Sequence, residues 1–482
     1  MKVGRREFIR KGLALGLGMF GFPFLRKARA YTGEMTRSTA RRPNVLVFFT
    51  DQQRWDTAGC YGNPMGLTPN LDAMAGRGTR LDRAFTVQPV CGPARACLVT
   101  GKYGTETGVW RNAIALPRDV PTTARAFRSA GYSANYIGKW HLANAKCEGA
   151  TLGRQEPVPP EKRGGFDDYW LAADVLEFFS APYRLRLMDR DGKTVERAGY
   201  RVDAQTDLAL EFLEGEVKRR EKPFFLTVSY LEPHFQNDVD EFVAPKGYAE
   251  EIAKRMWVPP DLAVLGGSSA HHLPGYYGCV KSLDENLGRV LRFLSKTGLD
   301  NDTVVLFCTD HGCHFKTRNG EYKRSCHESS IRVPAVFQGP GFDTGGVVHE
   351  LTSLLDWPAT MLDSAGLPPL PGQRGRSILP LLQGRVEDWP KEVFVQISES
   401  QVGRAIRTDR WKFGVDAPGK NGWDDSRSDS YVEQYLYDLD RDPYELNNLA
   451  GQEGTRDTTN KLATILKRRM VEAGEKEPDI RC

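Results

Sequence analysis

The chain has 482 residues, enough for one large α/β domain and a smaller companion, and its 40% hydrophobic and 27% charged content is ordinary for a globular protein. The formal charge of +4 misleads: the first thirty residues hold eight of the 66 Lys and Arg and one of the 62 Asp and Glu, leaving −3 for the remainder. That balance removes any charge argument for nucleic acid or an acidic membrane, and nine scattered cysteines without a CxxC pattern exclude a zinc ribbon or a disulfide scaffold.

The first element is a leader. Arg5-Arg6-Glu7-Phe8-Ile9-Arg10 is a twin-arginine signature, Leu13 to Leu25 is a Gly-rich apolar run, and Ala28-Arg29-Ala30 is a small-x-small cleavage site. A run of about thirteen residues falls short of the roughly twenty that span a bilayer. Residues 1–30 are therefore expected to be a removed signal peptide, with the twin-arginine export machinery as partner and a periplasmic or secreted location. Residues 31–42 read as a polar linker. Asn44 to Thr50 is a continuous β-rich run ending at Asp51, the pattern of a strand buried on both faces. Phe224 to Tyr230 repeats the pattern before Glu232-Pro233-His234, and Thr303 to Thr309 repeats it before Asp310-His311. Helices are expected over about 68–78, 93–100, 121–130, 202–220 and 275–297. Strands alternating with helices predict an α/β fold, with polar residues gathered at the strand ends where such sheets build active sites. Past residue 385 come short runs at 393–397, 404–407, 411–413 and 435–438, then a helix over about 456–473. They predict a C-terminal α+β subdomain over 386–482 after a catalytic domain over 43–385. Residues 152–165 and 237–272 are expected rims of a cleft. Cys313 and Cys326 could pair after export; most other cysteines read as buried thiols.

The densest motif is Cys91-Gly92-Pro93-Ala94-Arg95, followed by Leu98-Val99-Thr100-Gly101-Lys102. Pro93 suits the first turn of a helix and Gly101 its C-terminal cap. Cys91 then stands at a helix N-terminus, where unpaired N–H groups favour an anion, and Arg95 adds a positive charge one turn on. On spacing alone, a thiol that merely caps a helix remains open.

Here the chain resembles the type I sulfatases of the alkaline phosphatase superfamily, whose C-x-P-x-R cysteine is oxidised to formylglycine. The resemblance runs from Pro43 to about Ala450. It implies a large mixed, mostly parallel sheet sandwiched by helices, with a smaller C-terminal subdomain on an antiparallel sheet. It also implies a metal site at Asp51, Gln52, Cys91, Asp310 and His311, for which Ca2+ is expected and Mg2+ or Mn2+ are alternatives. Many members carry Asp in place of Gln52 and Asn in place of His311, so a weaker site or a shifted preference is implied. Gly138-Lys139-Trp140-His141-Leu142 matches the family's lysine–histidine element, with Lys139 on the sulfate and formylglycine oxygens and His141 on the formylglycine hydroxyl. His234 matches the later histidine near the leaving-group oxygen. Lys323 opens a K-x4-E-x3-R-V-P element in which His327 stands where many members have an aromatic residue. Four of the eight histidines fall inside these motifs. Residues 407–413 and 436–449 resemble the family's end-of-chain subdomain.

The implied chemistry is covalent and has two steps. One hydroxyl of the hydrated aldehyde attacks sulfur while the metal, Arg95, Lys139 and Lys323 stabilise the sulfuryl oxygens. His234, with Lys323, protonates the leaving alcohol, and His141 takes a proton from the second hydroxyl as sulfate departs. The expected activity is a sulfuric ester hydrolase acting on a sulfated carbohydrate or a small sulfate ester, matured by a formylglycine-generating enzyme, with no nucleic-acid partner and no stable membrane insertion. Arg54, Trp110, Arg111, Asn112 and His327 are candidate substrate contacts. Two readings compete. A phosphonate monoester or phosphodiester hydrolase of the same superfamily is separable by comparing sulfate and phosphate esters of one alcohol. A non-catalytic sulfoglycan-binding protein is disfavoured by the intact set of Cys91, Arg95, Lys139, His141, His234 and Lys323.

Overall fold

A computed structural model describes residues 42–143, 156–219, 221–343, 345–386 and 388–482. The twin-arginine leader, the linker apart from Arg42, and Cys147 lie outside them. The continuous apolar runs form β1 (Asn44–Thr50), β7 (Phe224–Ser229) and β8 (Thr303–Thr309), and every residue in them is buried. Successive side chains of a strand point to opposite faces, so each run feeds two cores. Val45, Val47 and Phe49 pack with Val304, Leu306 and Cys308 on one face; Leu46 and Phe48 pack with Val305 and Phe307 on the other. Helices Arg201–Arg219 and Ser269–Thr297 cover the second face through Leu208, Leu283, Leu287 and Leu294. Helices Cys91–Thr100 and Asp356–Ser364 cover the first. Burying each such side chain stabilises by roughly 1.5–3 kcal/mol, so burial more than local propensity fixes these elements.

The other strands of this sheet are β2 (Thr79–Phe85), β3 (Ser133–Lys139), β4 (Tyr169–Ala173), β5 (Arg184–Asp189), β6 (Thr194–Ala198), β9 (Arg332–Val333), β10 (Val336–Gln338) and β11 (Gly346–Ser353). The sheet is 11-stranded in the order β11-β2-β10-β8-β1-β7-β3-β4-β5-β6, with β9 against β2. β8, β1, β7, β3 and β4 are parallel neighbours at its centre. β10 runs antiparallel to both β8 and β2, and β5 and β6 form an antiparallel edge. The sheet is thus mixed with a parallel heart sandwiched by helices. Two helices begin earlier than expected. The one carrying Arg95 starts at Cys91, and the long one starts at Ser269 with Pro274 inside it.

A second, 5-stranded sheet holds β12 (Glu392–Ile397), β13 (Gly403–Thr408), β14 (Trp411–Asp416), β15 (Ser430–Asp438) and β16 (Asp479–Arg481). β12 to β15 pair antiparallel, and the three-residue β16 joins in parallel. Helix Arg456–Glu472 packs on it through Leu462, Leu466 and Met470, which share one hydrophobic core with β13, β14 and the first face of the large sheet. The Gln396 N–H donates to Val87 O at 2.8 Å, tying this sheet to the segment that leads into Cys91. Among the described residues, no helix is long and apolar enough to cross a membrane.

Candidate active site

Strand register builds the floor of the site. Thr50 pairs with Thr309, Phe49 with Ser229, and Gly138 with Ser229, so the residues that follow β1, β8, β7 and β3 emerge level at one edge. Gly138 has φ 113°, and a Cβ there would lie 2.0 Å from Ser229 O, so only glycine lets β3 deliver Lys139 this close to β7. Cys91 is the first residue of its buried helix, and Gly101 ends that helix with φ 66°. The Cys91 Sγ lies 2.8 Å from Lys323 Nζ, 3.3 Å from His311 Nε2 and 3.6 Å from Asp51 Oδ1. Burial opposes ionisation of this thiol, yet Lys323, Lys139 and His311 outweigh it and hold Cys91 well below the ordinary thiol range.

Ligand atoms of Asp51, Cys91, Asp310 and His311, all buried, lie within 4.8 Å of one another. Several local contacts fit a divalent cation. His311 Nδ1 donates to Gly312 O at 2.9 Å, which leaves the Nε2 lone pair facing the cluster. Asp310 Oδ1 accepts from the Gln52 and His311 N–H groups at 2.9 and 2.8 Å, whereas its buried Oδ2 has no hydrogen-bond donor. Gln52 has φ 66°, held by Tyr276 Oη donating to its carbonyl at 2.7 Å, and its Oε1 lies 3.5 Å from Lys323 Nζ. Against burial and Cys91, the Lys139 and Arg95 charges hold Asp51 below the usual carboxylate range. Burial and Asp51 push Asp310 up. A dication between these carboxylates would relieve that conflict.

The cations divide into two kinds. Lys323 Nζ meets Cys91, Gln52 and, at 3.1 Å, His234 Nε2, while His234 Nδ1 donates to Phe235 O at 2.6 Å. Lys139 Nζ lies 2.8 Å from Asp51 Oδ2 and 3.4 Å from Glu177 Oε2. His141 has φ 61° and a buried Nδ1 without a hydrogen-bond partner. Arg95, expected to steady sulfuryl oxygens, is anchored by carboxylates. Its guanidinium donates to Asp51 Oδ2 at 2.9 Å and to Lys139 O and Ser229 Oγ, both at 2.8 Å, and its Nε lies 3.6 Å from Asp310 Oδ2. These contacts set it behind the two carboxylates. Glu177 was not singled out by the sequence. Lys139, His234 and His141 overcome its burial and hold it low, at about 2.

Candidate substrate contacts separate likewise. Arg54 is turned inward, with all five donors engaged by Asp56, Asp261 and Cys313 O at 2.6 to 3.0 Å. No donor remains for a substrate, which corrects that assignment. His327 is also buried, with Nε2 3.1 Å from Tyr437 Oη and its ring against Tyr435, so it belongs to the junction with the second sheet. Trp110, Arg111 and Asn112 are half-buried, and Asn112 Oδ1 accepts from the N–H of Gly92, the neighbour of Cys91, at 2.9 Å. Cys313 and Cys326 are free thiols.

Residues 43–367 match the family profile named Sulfatase, and 320–472 match the C-terminal profile of N-sulphoglucosamine sulphohydrolase. The chain is 30% identical over 454 residues to an ulvan-active sulfatase of Formosa agariphila, covering 90% of this chain and 82% of the relative. An N-acetylglucosamine-6-O-sulfatase of Bacteroides thetaiotaomicron is 24% identical, with 92% and 89% covered. A solved structure in complex with its substrate D-glucosamine-2-N,6-O-disulfate superposes with a TM-score of 0.72 at 24% identity, over 91% of this chain and 99% of that one.

Proposed function

This chain belongs to the sulfatase family and is a sulfuric ester hydrolase, and we propose that it cleaves sulfated carbohydrates with a formylglycine made from Cys91 and a bound divalent cation, Ca2+ first among them. The observation that carries the reading is the surroundings of position 91. One buried atom there meets an ammonium, an imidazole and a carboxylate within 2.8 to 3.6 Å. The carbohydrate substrate is supported by the named substrates of the relatives.

When present, the cation would supply a Lewis acid for a sulfuryl oxygen, and the hydrated aldehyde at position 91 would supply the nucleophile. Asp51, Gln52, Asp310 and His311 hold the cation in this proposal. Lys323 and Lys139 balance the charge of the sulfate ester. His234, with its Nδ1 committed to Phe235 O, presents Nε2 beside Lys323 to protonate the leaving oxygen. His141, fixed by its N–H to Asp174 O at 2.8 Å, accepts a proton at the position-91 side chain.

Residues 1–30 support export by the twin-arginine route after maturation in the cytoplasm. A mass spectrum of protein from its native compartment tests both parts. A Cys91 peptide lighter by about 18 Da, sulfur and two hydrogens replaced by oxygen, and a chain starting near Tyr31 are the expected results. Active protein with an intact Cys91 thiol would overturn the nucleophile.

A further inference from the structure

We propose that Glu177 is the positioning residue for Lys139: its carboxylate keeps the buried ammonium aimed at the place of the substrate's sulfate, a task that Asp51, shared with Arg95 and the proposed cation, does not perform alone. The proposal rests on the reading above, in which Lys139 meets the sulfate ester, and adds one residue to that machinery.

The strand next to β3 fixes position 177. β4 pairs parallel with β3, with Ala173 beside Lys139, and the bonding continues past both strand ends. The Trp140 N–H donates to Ala173 O at 2.9 Å and the His141 N–H to Asp174 O at 2.8 Å. A single 3-10 turn over Leu176–Phe178 follows, anchored by Leu176, which is wholly buried in the second core. The far end of the turn is tied down by Arg201, which donates to Ser180 O at 2.7 Å and to Glu232 Oε1 at 2.7 and 3.0 Å, two residues before His234. Glu177 thus stands on a frame bonded to the backbone of Trp140 and His141 on one side and to the loop of His234 on the other.

Lys139 is wholly buried, and a buried ammonium is stable only beside negative charge. Burial opposes its charge, and Asp51 and then Glu177 outweigh that burial. The two acids differ in what else they serve. Asp51 Oδ2 also accepts from Arg95 at 2.9 Å, and its Oδ1 lies 3.6 Å from Cys91 Sγ and 3.9 Å from His311 Nε2, within the candidate metal set. Glu177 Oε2 lies 3.4 Å from Lys139 Nζ, is buried, and has no hydrogen-bond donor among the described residues. A dication at the metal set would draw on the charge of Asp51, and Glu177 would then supply the larger share of what Lys139 needs. Lys139 Nζ approaches both acids without completing a hydrogen bond among the described residues. Coulomb attraction therefore places the ammonium while its N–H groups remain for oxygens of a ligand. Lys139 and Cys91 flank the two oxygens of one carboxylate, Asp51, so those N–H groups lie close to the reacting position.

The test uses the matured, Ca2+-loaded enzyme with Glu177→Gln, Glu177→Asp, Lys139→Ala and the double variant Glu177→Gln with Lys139→Ala. Two quantities are read: kcat on 4-nitrophenyl sulfate, and the Kd of inorganic sulfate by titration calorimetry, which needs no turnover. We expect Glu177→Gln to lower kcat and to raise the sulfate Kd, each about tenfold or more. Glu177→Asp, which keeps the charge on a shorter stem, should recover part of both losses. In the Lys139→Ala background the effect of Glu177→Gln should shrink to less than about twofold, because a residue that acts through Lys139 has nothing left to act on. A loss of the same size with and without Lys139 would mean that Glu177 only supports the fold, and would overturn the proposal, as would no loss at all. An aspartate no better than glutamine would overturn it too, and that comparison decides the matter if the Lys139 variants do not fold. Tighter sulfate binding by Glu177→Gln would count against it equally, since the carboxylate would then repel the anion rather than aim Lys139. Native enzyme that is active with an intact Cys91 thiol would sink the formylglycine reading alone, because sulfate binding would still report on Glu177.

Discussion

The floor of this site and its rim are built by different physics. The floor is a set of strand ends: Lys139 closes a parallel strand and Asp51, Asp310 and His234 follow others, all held in register by a two-faced core, and Asp51, Lys139 and Asp310 are fully buried. The rim is a set of loops from distant parts of the chain, in which Glu399 accepts from the Asn112 N–H, pairs with Arg324 and donates its own N–H to Gly422 O beside Trp423. A floor residue cannot move without disturbing the sheet, whereas a rim residue can be exchanged at little structural cost. Chemistry should therefore reside in the first region and substrate choice in the second. Floor variants should lower kcat on every ester, and rim variants should alter KM for some.

The largest expected effect lies at the centre of the floor. Cys91→Ala should lower turnover of any sulfate ester by at least about 10^4-fold, since the proposed covalent route is lost while the scaffold is kept. Kinetics on 4-nitrophenyl sulfate and a thermal melt read both quantities. A variant that melts like the native protein and still turns over freely would end the division between floor and rim, because the floor would then not hold the chemistry.

Arg95 comes next. Replacing it with Leu leaves Asp51 and Asp310 buried without their guanidinium, and breaking a buried pair of this kind costs about 3–5 kcal/mol. The melting temperature should drop, and Ca2+ should recover more of it than in the native protein, because a dication compensates the same two charges. A melt indifferent to Arg95→Leu would return the arginine to a direct role on sulfate.

Glu177 gives a smaller, pH-dependent effect. Its folded pKa of about 2 is depressed from 4.5, so the stability it contributes is present above the unfolded value and is lost as pH falls from about 4.5 towards 2. Glu177→Gln removes that dependence. Its unfolding free energy should fall less steeply than the native protein's across that interval, with the two curves parallel near neutrality. Curves that stay parallel through the acid range would mean that Glu177 is not tied to Lys139.

The same division explains what the sequence disclosed. β1, β7 and β8 were legible because strands buried on both faces are written as continuous apolar runs, and their last residues led directly to Asp51, His234 and Asp310. β3 is equally central and equally buried, but Ser133, Asn135, Gly138 and Lys139 disguise it. Asn135 is tolerated there because its Nδ2 donates to Ser133 O at 3.1 Å and to Phe225 O at 3.2 Å. Glu177 had a faint signal, the turn from Leu171-Ala172-Ala173 to Asp174, which marks one more strand end. Glu399 and Trp423 had none. Their contacts reach partners about 300 residues away in sequence, and no local pattern records that. Arg54 misled for a related reason: an arginine two residues past a proposed metal ligand looks available until Asp261 is found beside it.

The smallest expected effect bounds the rim from outside. Glu241 and the adjacent His271 and His272 gather three potential ligand atoms within 4.8 Å, the same spacing as the floor's candidate metal set. Spacing alone would rank the two alike, but exposure separates them. The His271 and Glu241 side chains are 71% and 46% exposed and pair at 3.0 Å, whereas those of Asp51, Asp310 and His311 are wholly buried. Exposed pairs contribute about 0–1 kcal/mol because water and salt screen them and both side chains lose freedom in pairing. His271→Ala should therefore shift the unfolding free energy by less than about 1 kcal/mol. It should also leave the Ca2+ dependence of turnover as it is in the native enzyme. Added chelator should inactivate both proteins along one curve. Two curves that part would place a functional cation at the rim, and the boundary between floor and rim would have to be drawn outside residues 241 and 271.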